Sequence, residues 1–560
     1  MLSPASPSTT AARPNWLTQW LDGWTLLTLL VAALVGLPVI TVLAHVLVPS
    51  AEVWSHLAGT VLPRYLLNTA GLMVGVGVGT LVIGVGTAWL VVMCRFPGRR
   101  LFEWALLLPL AVPTYVIAYA YTDFLQFAGP VQTWLRDVFD WGRADYWFPN
   151  VRSLGGAIVL MSLVLYPYVY LLTRAAFTEQ SVCALEVGRT LGRGPWRLFS
   201  TVAIPLARPA IVGGVALALM EALNDFGAVQ FFGVDTFTTG IYRTWFGMGE
   251  AVAAAQLAAC LLVFVLVLML LERFSRRQAR FHHTTSRYRE LPQYELGRGA
   301  ASLAFLACAL PVFVGFVIPA GLLAKMHFRV GDPLMGGRFW GFAWNSLQLA
   351  IVTAAVAVSL AVLIGYGVRL KPTALTRSAA RVASVGYAIP GSVIAVGILI
   401  PLGWLDQRIN LFAQENFGVL PGLLLTGTMV ALVYAYVVRF LAVSFNSVEA
   451  SLTKVTPNMD AASRTLGKTA SKTLALIHLP VMRSSLLAAF ILVFVDVMKE
   501  LPATIILRPF NFDTLAVRAF ELASDERLAQ ASTAALGVVL VGIIPVILLS
   551  GAMRRGRPGA

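Results

Sequence analysis

The chain has 560 residues, of which 58% are apolar and only 12% charged, and it carries a net charge of +15. Soluble domains carry roughly 25% charged residues, so this composition excludes an ordinary soluble enzyme and points to the membrane. The basic surplus does not form the long arm that nucleic acid would need. It sits in short runs, such as RFPGRR (95–100), ERFSRRQAR (272–280) and MRRGR (553–557), between apolar segments.

In chain order, the N-terminal MLSPASPSTTAARPNW reads as a short tail without the basic region of a removable signal peptide, so the first span is retained. Apolar runs of about twenty residues, enough to cross ~30 Å of hydrocarbon, then predict twelve spans. They fall near 24–47, 65–94, 101–126, 154–178, 209–230, 251–271, 301–324, 344–368, 382–404, 418–445, 483–507 and 531–552. With both termini cytoplasmic, most of the 42 Lys and Arg fall in inside loops, which is the positive-inside rule. Lys499 is the one cation assigned to the interior of a span. Cys94, Cys183, Cys260 and Cys308 have neither metal nor redox spacing.

The sequence RTLG stands at 189–192 and again at 464–467, and in each copy a proline follows the glycine by thirteen positions, at Pro205 and Pro480. The repeat extends further. Asn68–Thr69 matches Asn345–Ser346 and Pro113 matches Pro390 at an offset of 277, while Glu221 meets Asp496, Asp225 meets Glu500 and Arg243 meets Arg518 at 275. The chain therefore reads as a first repeat (1–275), a basic cytoplasmic linker (276–300) and a second repeat (301–560). Six spans per half give both halves the same orientation, related by a pseudo-two-fold axis along the membrane normal. The fold class is an all-α polytopic membrane protein.

Each RTLG lies in a polar loop after the fourth span of its half. A helix ended by Gly192 in a left-handed turn, and prolines near the start of the next span where a missing N–H costs little, account for the local spelling. They do not account for two copies in register. The loops resemble the E-A-A-x3-G-x9-I-x-L-P pattern of binding-protein-dependent ABC importer permeases. The first copy carries Glu186-Val187-Gly188, Gly192 and Val202-Ala203-Ile204-Pro205; the second carries Ala461-Ala462-Ser463, Gly467 and Ile477-His478-Leu479-Pro480, with Asp460 one residue before the glutamate position. The resemblance implies a coupling helix in each loop, seated in a groove of a separate ATPase subunit. The coupling residues it implies are Glu186, Gly188, Arg189, Gly192 and Pro205, then Asp460, Ala461, Arg464, Gly467 and Pro480. It further implies two ATPase copies holding ATP and Mg, a periplasmic binding protein, a bacterial inner membrane with its lipid, and no cofactor on this chain. Two look-alikes are set aside. Ala462–Thr469 fits a loose phosphate-loop pattern without its strand, and GVGVG (75–79) lies in a span, where small residues allow close helix packing.

Glu221 and Asp225, like Asp496 and Glu500, are four residues apart, which predicts one shared helix face in each half. They lie roughly 18–25 Å from the cytoplasmic end. Carboxylates at that depth either line a pathway or pair with cations, here Lys499, Arg243 or Arg518. Tyr115, Tyr119, Tyr121, Tyr166, Tyr168 and Tyr170 read as an interfacial belt, and His282–His283 as too few ligands for a metal. Stretches such as FGVDTFTTGIYRTWFGMG (232–249) and VDVMKELPATIILRPFNFDTLAVR (495–518) resemble the fused ferric-iron branch of the permease family. The resemblance implies ferric iron as substrate, with thiamine, a polyamine or another small solute as the alternative in the same class. An ion-gradient-driven secondary transporter is the alternative from another class. Neither a nucleophile with its base nor a dense ligand cluster marks an enzyme.

Overall fold

A computed structural model describes residues 23–179, 194–277 and 293–555. Among them, eleven helices are long and apolar enough to cross a membrane, and a bent helix pair makes a twelfth span. The first half contains α1 (Gly23–His45), α2 (Leu62–Met93), α3 (Thr114–Leu125), α4 (Leu154–Glu179), α5 (Ile204–Asn224) and α6 (Ala251–Arg277). The second contains α7 (Arg298–Arg329), α8 (Gly337–Leu370), α9 (Gly391–Phe417), α10 (Met429–Leu452), α11 (Leu479–Met498) and α12 (Leu528–Arg555). The chain is thus a helical membrane protein of two six-span repeats, with one short parallel strand pair, Cys94–Arg95 with Tyr294–Glu295.

The third span departs from the continuous helix expected at 101–126. Arg99–Ala111 and Thr114–Phe139 meet at 89°. Pro113 is the hinge: it has no N–H to donate, and its extended ψ of 144° starts α3 afresh. Pro390, with ψ of 140°, starts α9 in the same way, so the span expected at 382–404 begins later, at Gly391. The fifth and eleventh spans end earlier than expected. α5 ends at Asn224, followed by a short Gly227–Phe231 helix, and α11 ends at Met498, followed by Pro502–Leu507.

Pro205 and Pro480 also sit differently from the reading above. Helix begins upstream of them, and the missing N–H is absorbed within a wider π turn, Phe199–Ala203 in one half and Leu474–His478 in the other.

The halves exchange their first helices. α1 lies against α8 and α9 of the second half, and α7 lies against the broken third span of the first. Matching bonds pin the exchange. Tyr434 Oη on α10 donates to the Leu34 carbonyl at 2.5 Å, and Tyr121 Oη on α3 to the Val314 carbonyl at 2.6 Å. At the far end Gln256 Nε2 on α6 donates to the His45 and Val48 carbonyls at 3.1 and 2.8 Å. Thr533 on α12 holds the corresponding turn after α7, accepting from Asp332 N–H at 2.9 Å. The repeated asparagines do equivalent work: Asn68 Nδ2 donates to the Asp235 carbonyl and Asn345 Nδ2 to that of Asp513, at 2.9 and 3.1 Å. One apolar core runs across both halves, from Val31 on α1 to Val539 on α12, and a second, smaller one gathers around Trp89, Phe102 and Tyr170.

The glycines of GVGVG serve helix packing. A Cβ on Gly79 would lie 2.2 Å from Ser162 Oγ on α4, so α2 and α4 approach because there is no side chain between them. Gly79→Leu is expected to force these helices apart, lowering yield and thermal stability in detergent; a melting temperature equal to wild type would contradict this packing.

Candidate functional site

Two places concentrate polar residues: a cavity between the halves, and the loop after α10.

The cavity, of about 100 Å³, is bordered by all four acids singled out in the sequence, Glu221, Asp225, Asp496 and Glu500. The local geometry differs from a shared helix face. Glu221 and Asp496 lie in the last turns of α5 and α11, but Asp225 and Glu500 stand beyond the helix ends and cap the short helices that follow. Asp225 Oδ1 accepts from the N–H groups of Ala228 and Val229 at 2.9 and 3.2 Å, and Thr114 Oγ1 donates to Oδ2. Glu500 accepts from Ala503 and Thr504 N–H at 3.0 and 3.2 Å. A carboxylate at a helix N-terminus satisfies orphan donors and meets the positive end of the dipole. This is why the repeat keeps an acid at both positions although neither continues its helix.

The cations expected to brace these acids are mostly elsewhere. Arg243 pairs with Asp235 at 2.5 Å and Arg518 with Asp332 at 3.1 Å, both in far-end connections. Nor are those arginines counterparts in the fold. Arg243 follows its helix cap Thr236 by seven residues, and Arg518 follows its cap Thr514 by four. Lys499 does pair with Asp496, at 3.0 Å.

The residue that sequence reasoning missed is Arg439, in the middle of α10 and only 3% exposed. Its Nη2 lies 3.6 Å from Glu221 Oε1 and its Nη1 3.7 Å from Glu500 Oε1, so one guanidinium faces an acid from each half. Nη1 also donates to Asn224 Oδ1, which accepts from Gly391 N–H at 2.7 Å. The signal was a lone arginine inside YAYVVRFLAV. At the matching position of α4, 275 residues earlier, the chain has Val164, which borders the same cavity.

The tyrosines are not an interfacial belt. Tyr115, Tyr119, Tyr121, Tyr166 and Tyr170 are all buried, and Tyr115 and Tyr168 border the cavity together with Tyr387. Their rings fill the space between helices, a role that composition cannot distinguish from lipid-facing aromatics.

In the first loop, Glu186, Gly188, Arg189 and Gly192 lie outside the described residues, as do Cys183 and the linker histidines. The second loop is described in full. Pro457–Thr465 forms a helix, and Gly467 closes it at φ +69°. Gly467 N–H donates to the Arg464 carbonyl at 3.0 Å and Lys468 N–H to that of Ser463 at 3.1 Å, the paired bonds of a Schellman turn. These donors are therefore spent on the helix end, unlike those of a phosphate cradle.

Asp460 faces the chain's own bundle. It accepts from Arg369 Nε on α8 at 2.9 Å and lies 2.7 Å from His478 Nε2. Arg369 also donates to the Leu452 and Val455 carbonyls at 2.7 and 2.6 Å. Partial burial pushes the Asp460 pKa up, but hydrogen bonds from His478 and Arg369 prevail and hold it below the usual carboxylate range. Met459, Ala461, Arg464 and Leu466 remain exposed on the opposite side.

The sequence is similar to known proteins. A family model described as binding-protein-dependent transport system inner membrane component matches residues 80–280. The chain is 28% identical to the Fe(3+)-transport system permease protein FbpB 2 of Haemophilus influenzae, over 96% of this chain and 98% of that one. It is 31% identical to the sulfate transport system permease protein CysT of Escherichia coli, over 35% of this chain and 72% of that one. It is 29% identical to the molybdenum transport system permease protein ModB of the same species, over 36% of this chain and 87% of that one.

Asp460→Asn should loosen the loop helix by roughly 1–2 kcal/mol, the lower range for a part-exposed bond to a charged group. Because the folded pKa is depressed, this contribution is complete above the ordinary carboxylate value of about 4 and is lost as pH falls through the folded value. Hydrogen exchange of 457–465 at neutral pH measures it: faster exchange in the variant is expected, and unchanged exchange would contradict the tie.

Proposed function

This chain belongs to the family of binding-protein-dependent transport inner-membrane components, and from that membership we propose that it supplies both membrane halves of an ATP-driven importer for ferric iron. Two copies of a cytoplasmic ATPase, where ATP and Mg would bind, drive it from one side, and a periplasmic binding protein delivers the cargo from the other.

The loop helices are the handles. On Pro457–Thr465 the exposed Met459, with Leu466 just past the helix end, gives a groove something apolar to bury, and Arg464 adds a charge at the rim. On its inner side Asp460, through Arg369, ties the helix to α8 and to the end of α10. A push on the handle therefore moves whole membrane helices instead of bending a loop. Glu186, Gly188, Arg189 and Gly192 are assigned the same task in the first half by the repeat. ATPase closure and opening would then alternate access to the central cavity.

The observation that carries the ferric reading is the charge balance of that cavity. Four carboxylates face two cations, Arg439 and Lys499, and the phenols of Tyr115, Tyr168 and Tyr387 complete an oxygen-rich wall. Ferric iron is a hard cation suited to such oxygens. An oxyanion would meet the same acidic surplus as repulsion. Similarity to the iron permease over almost its whole length supports the same reading, since the sulfate and molybdenum relatives align with only 35% and 36% of this chain.

Reconstitution with the ATPase and candidate binding proteins tests it. Ferric-loaded binding protein should stimulate ATP hydrolysis and uptake severalfold, and Glu221→Gln with Asp496→Asn should slow that uptake. Stimulation by sulfate, molybdate, thiamine or a polyamine in place of ferric iron would replace the substrate. Unchanged uptake with lower thermal stability in the variants would make the acids braces only.

A further inference from the structure

We propose that Arg439 is the bolt that holds the pathway shut between the two halves, and that α10 is the rod by which the loop helix withdraws it. The inference rests on the importer reading above for the direction of the push, but the bolt itself is a property of this chain.

The geometry is specific. Arg439 comes from the second half, while Glu221 and Asn224 come from the last turn of α5 in the first. Asn224 in turn accepts from Gly391 N–H, at the start of α9, and Glu500 faces the guanidinium from the second half. One side chain thus joins three helix ends across the seam. The repeat would allow a second bolt at Val164, and none is there. Lys499 pairs with Asp496 of its own half, whereas the Arg439 guanidinium stands between acids of both halves, a closure that can be released by one displacement.

The site is also incompletely satisfied as it stands. Arg439 Nε and the buried Tyr115 hydroxyl, which borders the cavity, have no hydrogen-bond partner among the described residues. The two ion contacts, at 3.6 and 3.7 Å, are longer than hydrogen bonds. Among the described residues, no three His, Cys, Asp or Glu side chains gather closely enough to hold a metal ion. The acids are held apart around the guanidinium, whose charge they would exchange for that of a passing cation.

The rod follows from connectivity. Arg439 precedes Leu452 by thirteen residues on one helix, about 20 Å of rise. The Leu452 carbonyl is held by Arg369, which also grips Asp460 on the loop helix. Displacing that helix along the membrane normal carries Arg439 with it.

The test uses the full chain in sealed liposomes without ATPase, with passive flux of manganese(II) and of sulfate as probes. Wild type and Arg439→Lys, which keeps the charge, should be tight. Arg439→Gln should raise manganese flux by roughly tenfold or more, a fraction of what losing one partner of a buried pair costs. Asn224→Ala, which keeps every charge, should raise it less but above wild type. If Arg439→Gln does not fold, as judged by monodisperse elution, Asn224→Ala decides. Tight liposomes from every folded variant overturn the bolt, even if ferric-driven ATP hydrolysis by the wild-type complex upholds the importer reading. Equal manganese and sulfate flux in the variants keeps the bolt and removes the cation-selective reading of the cavity.

Discussion

A guanidinium buried where the two halves meet constrains much of what surrounds it. Leaving one partner of a buried ion pair alone costs about 3–5 kcal/mol, so Arg439 needs acids within reach from more than one direction. α5 and α11 meet that need by stopping inside the membrane. Their ends place Glu221, Asn224 and Glu500 around the charge. The broken backbone is then satisfied by the acids that follow, Asp225 and Glu500, which cap the next short helices. Irregular backbone at membrane depth is tolerated only where it is buried in protein or lines a cavity, and this site does both.

The exchange of first helices makes that seam permanent. α1 and α7 each lie against the opposite half, so the halves cannot part without breaking an apolar core that spans them. What can change is the tilt of helices around the cavity. The loop helix after α10 is well placed to govern it, because Asp460 and Arg369 transfer its position to two membrane helices at once.

Much of this was legible in the sequence. Hydropathy finds spans because each one meets its lipid independently, and the repeat offset found the halves, the paired asparagines, the prolines and all four cavity acids. Other features were not legible, for reasons that are specific. Periodicity assumes an unbroken helix, so Asp225 and Glu500 were placed on a face when they are caps. The 89° bend at Pro113 needs the partner half to pack into it. Arg439 escaped because charge was counted by loops, and it has no counterpart in the other repeat. The tyrosines were misplaced because their burial depends on neighbours from both halves. Arg243 and Arg518 matched in spelling, but the connections before them differ in length, and each found its own partner at the far end.

The energy source tests the account most directly. Uptake would be followed in sealed vesicles holding the chain, its ATPase and a loaded binding protein, with either ATP or an imposed ion gradient as the driving force. The account predicts uptake that requires ATP hydrolysis and the ATPase, with none from a gradient alone. Sustained uptake on a proton or sodium gradient without the ATPase would contradict it.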